Sequence, residues 1–218
     1  MRITQNYLEQ LELNQLSELA KFVVEENFNH HCDEDIATIL SFNLDILNTY
    51  YEELSYFEDS KTFVSKDERG NFYGSIRLIK WNYKIQLPIQ KLFNINLLEI
   101  IKLKSISSVW HIGRFATSKN NSDRFLFKKL MMYAIAPICT YNNSIGFAEC
   151  DNKLLRAMNL MGIQTETLGN SITYLGSETI PISIEKEGVI DFFNANYDLL
   201  DANYLDQLKR NQLYNETY

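Results

Sequence analysis

Apolar residues recur at Leu16, Leu19, Ala20 and Val23, the spacing of one helix face. A helix from about Asn14 to Asn27 is therefore predicted, with Asn14 as its cap. Beyond the polar patch Asn29-His30-His31-Cys32-Asp33, the pattern resumes at Ile36, Ile39, Leu40, Leu44, Leu47 and Leu54 and predicts a second, longer helix. The period then shortens. Two β-prone runs, Thr62 to Ser65 and Phe72 to Trp81, flank the turn-forming stretch Asp67 to Asn71 with its Arg69-Gly70-Asn71, which is the signature of a hairpin. Leu87-Pro88-Ile89 interrupts the periodicity, and the apolar stretch Leu92 to Ile106 is compatible with strand, short helix or both.

From Ser107 the order reads strand (Ser108 to Thr117), polar turn (Ser118 to Ser122), helix (Asp123 to Cys139), strand (Ser144 to Cys150) and helix (Asn152 to Met161). Such alternation implies parallel strands with helices packed on a sheet. Leu154, Met158 and Met161 form the inward face of the last of these helices, and Gly162 stands where a left-handed cap is expected. Two strands follow, Ser171 to Leu175 and Thr179 to Ile184, split by Gly176-Ser177-Glu178; the polar stretch Asn194 to Tyr218, with spaced Leu and Tyr, reads as a terminal helix. The expected organisation is a single domain over residues 1–190 with a helical tail over 191–218.

The 218 residues, 45% hydrophobic and 22% charged, suit one globular domain with an ordinary core. A formal charge of -7 without a cluster of Lys and Arg argues against nucleic acid as a partner. Cys32, Cys139 and Cys150 are odd in number and lack framework spacing, so reduced thiols and a cytoplasmic location are expected. Met1 to Glu12 lacks the apolar stretch of a signal peptide, and no run approaches the roughly 18 apolar residues of a membrane span.

The order of elements from Asn14 to Ile184 resembles the GNAT N-acyltransferase superfamily. Trp110-His111-Ile112-Gly113-Arg114-Phe115-Ala116, with Leu168-Gly169 and Tyr174-Leu175-Gly176, look most like its acyl-homoserine-lactone synthase and N-acyl amino acid synthase branch. The resemblance implies an α+β fold, an α/β/α sandwich whose mixed, mostly antiparallel sheet has a parallel pair at a splayed cleft. It also implies a thioester donor, acyl-coenzyme A or an acyl carrier protein, and a small-molecule amine as acceptor, with no metal. The donor would run along Ser108 to Thr117, held by the backbone of Phe115, Ala116 and Thr117. Its phosphates would sit at the next helix start, where unpaired N–H groups favour anions and Ser122 and Arg124 would add a hydroxyl and a cation. Asp151 joins this donor-binding set. Two departures from the family pattern stand out: Lys119 to Phe125 contains no glycine, and Met158 stands where the family has a general-acid Tyr. They motivate an alternative, a non-catalytic GNAT-like domain that binds an acyl ligand or a protein.

Amide formation needs a base for the amine proton and a donor for the oxyanion. His111 is the first candidate base, because imidazole titrates near neutral pH; its bland reading is a satisfied strand histidine. Strict alternation places His111 and Arg114 on opposite faces, so both reach one cleft only if a bulge intervenes, and Gly113 is the natural place for it. Arg114 is expected to face a carboxylate, of an acidic acceptor or of Glu149, and Glu149 and Tyr174 complete the substrate-binding candidates. Cys150 is expected to be an inert core thiol. His30-His31-Cys32-Asp33 is read as a turn and helix cap rather than a metal site, and Tyr50, Tyr51, Tyr56, Phe57 and Phe63 as core or pocket lining.

Overall fold

A computed structural model describes residues 8–31, 36–174 and 177–215, and the side chains of residues 30, 31, 36–41 and 212–215 are outside that description. The His30-His31-Cys32-Asp33 patch therefore lies outside the described side chains. A short strand β1 (Glu9–Gln10) leads into α1 (Leu16–His31), and α2 (Ile36–Tyr56) follows. The α1 helix buries the predicted face, Leu16, Leu19, Ala20 and Val23. Its start differs from expectation. Asn14 sits inside a 3₁₀ turn, Leu13–Gln15, whose Gln15 side chain accepts the Glu12 N–H at 3.1 Å.

The α2 helix presents an unexpected face to the interior. Leu44, Leu47 and Leu54 are 60%, 48% and 43% exposed, whereas Thr49 and Glu53 are buried. Ion pairing of Glu53, described below, overrides hydrophobic patterning and sets the rotation of the helix.

The hairpin forms as expected from β2 (Ser60–Lys66) and β3 (Phe72–Lys80). Its turn is built on the Asp67 carboxylate, which accepts the N–H groups of Arg69 and Asn71, both at 2.8 Å, and Gly70 takes a φ of +87° that only glycine adopts freely. The ambiguous stretch resolves into two short helices, α3 (Pro88–Phe93), with proline in its first turn, and α4 (Leu97–Leu103). Then come β4 (Ser108–Thr117), α5 (Leu126–Thr140), β5 (Ser144–Asp151) and α6 (Asn152–Leu160). The chain ends with β6 (Glu166–Thr167), β7 (Ile172–Tyr174), β8 (Ser177–Glu185), α7 (Lys186–Ala195) and α8 (Ala202–Asn215).

The sheet order is β1-β2-β3-β4-β5-β8-β6, with β7 also paired to β8, and among the described strands only β4 and β5 run parallel. One face, with Ile76, Leu78, Trp110, Ile112, Ala148, Ile182 and Ile184, packs on α5, α7 and α8. The other, with Ile79, Val109, Ile145 and Phe147, packs on α3 and α4, while α1 covers Val64, Phe72 and Ala116. This is the three-layer, mostly antiparallel arrangement that the resemblance implied.

Helix α7 was not anticipated, although Val189, Phe192 and Phe193 are buried with helical spacing. Helix α8 is tied to the core by a specific bond. Pro137 lies inside α5 and has no N–H, so the Tyr133 carbonyl one turn earlier loses its helical donor. The hydroxyl of Tyr204 on α8 donates to that carbonyl at 3.1 Å, in a buried setting. Tyr204→Phe is therefore expected to cost roughly 1–2 kcal/mol, because it leaves a buried acceptor unsatisfied, and urea denaturation would read it as a lower midpoint at unchanged slope.

Candidate active site

The β4–β5 ladder runs from Ser108 opposite Ser144 to Ile112 opposite Ala148 and stops there. Beyond that point each strand follows its other neighbour: β4 stays with β3 through Thr117, and β5 stays with β8 through Asp151. The two strands splay, and the wedge between Gly113–Thr117 and Glu149–Asp151 opens into a cavity of about 660 Å³. Towards α5 and α6 its walls are apolar, with Met131, Ala134, Ile135, Ala157 and Met158. Towards α2 and α3 they are polar, with Glu52, Arg77, Lys91, Arg114, Glu149 and Tyr174.

A bulge shapes the β4 side. Ser75 pairs with Ala116 and Arg77 with Gly113, so Arg114 and Phe115 together oppose Ile76. Arg114 takes a left-handed φ of +54°, and its carbonyl accepts the Ser75 hydroxyl at 2.7 Å. Gly113 relieves crowding beside it: a Cβ there would stand 3.2 Å from both the Arg77 guanidinium and the His111 ring, which would have to give by a few tenths of an ångström. The extra residue turns Arg114 towards α2, into one network with Arg77.

That network corrects the expected partner of Arg114. Arg114 donates from Nε to Glu53 at 2.5 Å and from Nη2 to Glu52 at 2.6 Å, while Arg77 also donates to Glu53. Glu149 instead belongs to His111. Burial opposes the charge of Arg114, but the Glu53 and Glu52 carboxylates outweigh it and hold its pKa above the ordinary value. Burial likewise pushes the Glu52 carboxyl up, and Arg114 followed by Arg77 more than reverses this, so its pKa falls below the ordinary 4.5. With the folded value below the unfolded one, the interaction stabilises the fold fully above pH 4.5 and is lost as pH falls through the folded pKa. Glu52→Gln is accordingly expected to melt below wild type near neutral pH, with the gap closing as the protein is acidified.

His111 is fully buried and does not line the cavity. Its Nε2 lies 3.0 and 3.1 Å from the two carboxylate oxygens of Glu149, and its Nδ1 has no partner. A carboxylate only accepts, so Nε2 carries the hydrogen. In register His111 is opposite Phe147, two residues before Glu149, which places both side chains on one face with Glu149 nearer the open end. Glu149 is the group exposed to the wedge.

Phe115, Ala116, Thr117, Asp151 and Tyr174 all line the cavity. Asp151 also caps α6, accepting the Leu154 N–H at 2.7 Å. Burial raises the pKa of the Tyr174 phenol, with Arg114 opposing, so it keeps its proton at neutral pH. Ser122 and Arg124 are exposed and off the cavity wall, and the Arg124 guanidinium lies over the Phe125 ring at 4.8 Å.

The turn expected to hold the donor phosphates carries hydrogen bonds of its own. The Asn121 side chain takes the Asp123 N–H at 2.9 Å, the Asp123 carboxylate takes that of Phe125 at 2.9 Å, and the Asp123 carbonyl takes that of Leu126 at 3.0 Å. The Asp123 carboxylate, bonded to Lys129 at 2.8 Å, thus stands beside the start of α5. Cys150 meets its bland reading: burial, then Asp151 and Glu149, push its thiol up to about 12.

Glu52, Glu53 and Arg77 were absent from the sequence candidates. Arg77 had a legible signal, a cation inside the buried run Phe72 to Lys80. No described helix is long and apolar enough to cross a membrane.

The splayed parallel pair in a mostly antiparallel sheet is the fold of the GNAT acyltransferases, and comparison with solved structures agrees. FeeM, an N-acyl amino acid synthase from uncultured soil microbes, matches at TM-score 0.54 and 12% identity over 83% of this chain and 95% of its own. The AHL synthase LasI matches at 0.50 and 14% over 84% and 90%. FdhC, a nucleotide-linked sugar GNAT, matches at 0.52 and 12% over 89% and 94%. No protein-family model and no curated protein matches the sequence.

Proposed function

We propose that this protein is an N-acyltransferase that moves an acyl group from a thioester to the primary amine of a small molecule. The observation that supports it most is the wedge itself, where an apolar chamber meets a polar wall beside Glu149. The thioester lies along Gly113–Thr117 with its acyl chain among Met131, Ile135 and Met158. Glu149, held by His111, takes the proton of the attacking amine. The new C–N bond forms as the C–S bond breaks, and the Tyr174 hydroxyl donates to the departing sulfur, a part that Met158 cannot play. Arg114 and Glu52 frame the acceptor side. The self-bonded turn at Asp123 favours a donor held by its pantetheine arm, as on a carrier protein, over one gripped by the pyrophosphate of coenzyme A.

Thiol release measured with acyl-coenzyme A and acyl-carrier donors, and with amino acids and other small amines as acceptors, tests this reading. Turnover is expected, with carrier-bound donors preferred. Bound acyl ligand without thiol release from any donor would instead establish the non-catalytic alternative, which the self-bonded turn and Met158 favour.

A further inference from the structure

Helix α2 has two apolar sides. The inner one is settled by the fold, with Thr49, Glu53 and Tyr56 buried and the Phe42 ring 5.2 Å from that of Phe28 on α1. The outer one carries Leu44, Leu47, Tyr51 and Leu54, four of the eleven large apolar side chains that stand exposed among the described residues. These four alternate between the a and d positions of a heptad, and the sequence carries the same spacing back through Leu40 and Ala37. That is the seam by which one helix packs on another, and a helix facing only water has no use for it.

The flanks of the seam indicate its occupant. The e and g positions beside it are Asn43, Asn48, Tyr50 and Ser55, all uncharged. Charges at such positions direct a helix to an unlike partner, and like charges there keep two identical helices apart. In a chain of net charge -7, a seam without either suits a second copy of itself. The 21 residues of α2 include no Lys or Arg, so an anionic lipid surface is a poor match. The inner side already fixes the helix, so pairing orders little chain. Tyr51, 59% exposed with its ring 5.4 Å from that of Tyr50, is the aromatic anchor.

We propose that two copies of this chain associate through α2, in a two-fold symmetric contact centred on Leu47 and Tyr51. Glu52 and Glu53, which hold Arg114, stand on the same helix, so the contact would brace the acceptor side of the wedge from outside. Association is independent of the chemistry of the wedge.

Sedimentation of the full chain from about 1 to about 200 µM tests this, with a monomer–dimer equilibrium expected in the range of roughly 1–100 µM. Leu47→Lys/Tyr51→Lys should weaken it at least tenfold at an unchanged circular dichroism spectrum, since both side chains are exposed in the single chain. The melting temperature should rise with protein concentration in wild type and not in that variant. Leu160→Lys, at a residue 80% exposed on α6, should leave the dimer intact. A wild-type monomer throughout the range, a dimer that survives Leu47→Lys/Tyr51→Lys, or one lost in Leu160→Lys would overturn the proposal. Leu44→Lys, expected to weaken the dimer as well, keeps the test decisive should the double variant misfold.

Discussion

Glu149→Gln is expected to lower kcat/KM by roughly 10²–10⁴-fold, the usual contribution of a positioned general base, while leaving the melting temperature nearly unchanged. The amide keeps an acceptor for the His111 Nε2–H, so the local bonding at 3.0 Å survives and only the capacity to take a proton is removed. His111→Ala acts differently, because His111 reaches the wedge only through Glu149. Its expected signature is a smaller fall in kcat with a displaced pH–rate profile. Full activity in both variants would remove this dyad from the mechanism.

Glu53→Ala is expected to have the largest effect on stability, roughly 3–5 kcal/mol, which is the cost of breaking a buried ion pair from one side. Glu53 and Arg77 are almost wholly shielded from water, and Glu53 also holds Arg114 at 2.5 Å, so its removal strands the Arg77 guanidinium and leaves Arg114 with Glu52 alone. The joint replacement Glu53→Met with Arg77→Met should recover much of that loss, since two apolar side chains of similar size need no partner and Arg114 retains Glu52. Chemical denaturation of the two variants beside wild type makes this comparison. A mild single variant would mean that the network is open to water.

These effects also mark where the sequence was readable. The β4 to α6 order was legible because strand and helix periods differ and the connecting turns are polar. The bulge was legible as a need, since His111 and Arg114 differ by an odd number of residues and Gly113 lies between them, but the left-handed backbone falls one residue later, on Arg114. The rotation of α2 was not legible. Leu44, Leu47 and Leu54 spell a buried stripe, and only the buried charges of Arg77 and Arg114 on neighbouring strands draw Glu53 inward instead. The Glu149–His111 pairing depended in the same way on the β4–β5 register, which no local pattern specifies. The side-chain bonds of the turn before α5 were not legible either: Asn121 and Asp123 accept the N–H groups of Asp123 and Phe125.

The claim that the wedge is the acyl-transfer site is tested most directly by a crystal structure with a thioether analogue of an acyl-pantetheine donor. The account predicts the sulfur between Gly113–Thr117 and Glu149–Asp151, the pantetheine arm leaving along β4, and the acyl chain among Met131, Ile135 and Met158. An analogue bound elsewhere, or a β4–β5 ladder closed past Ile112 and Ala148, would contradict it.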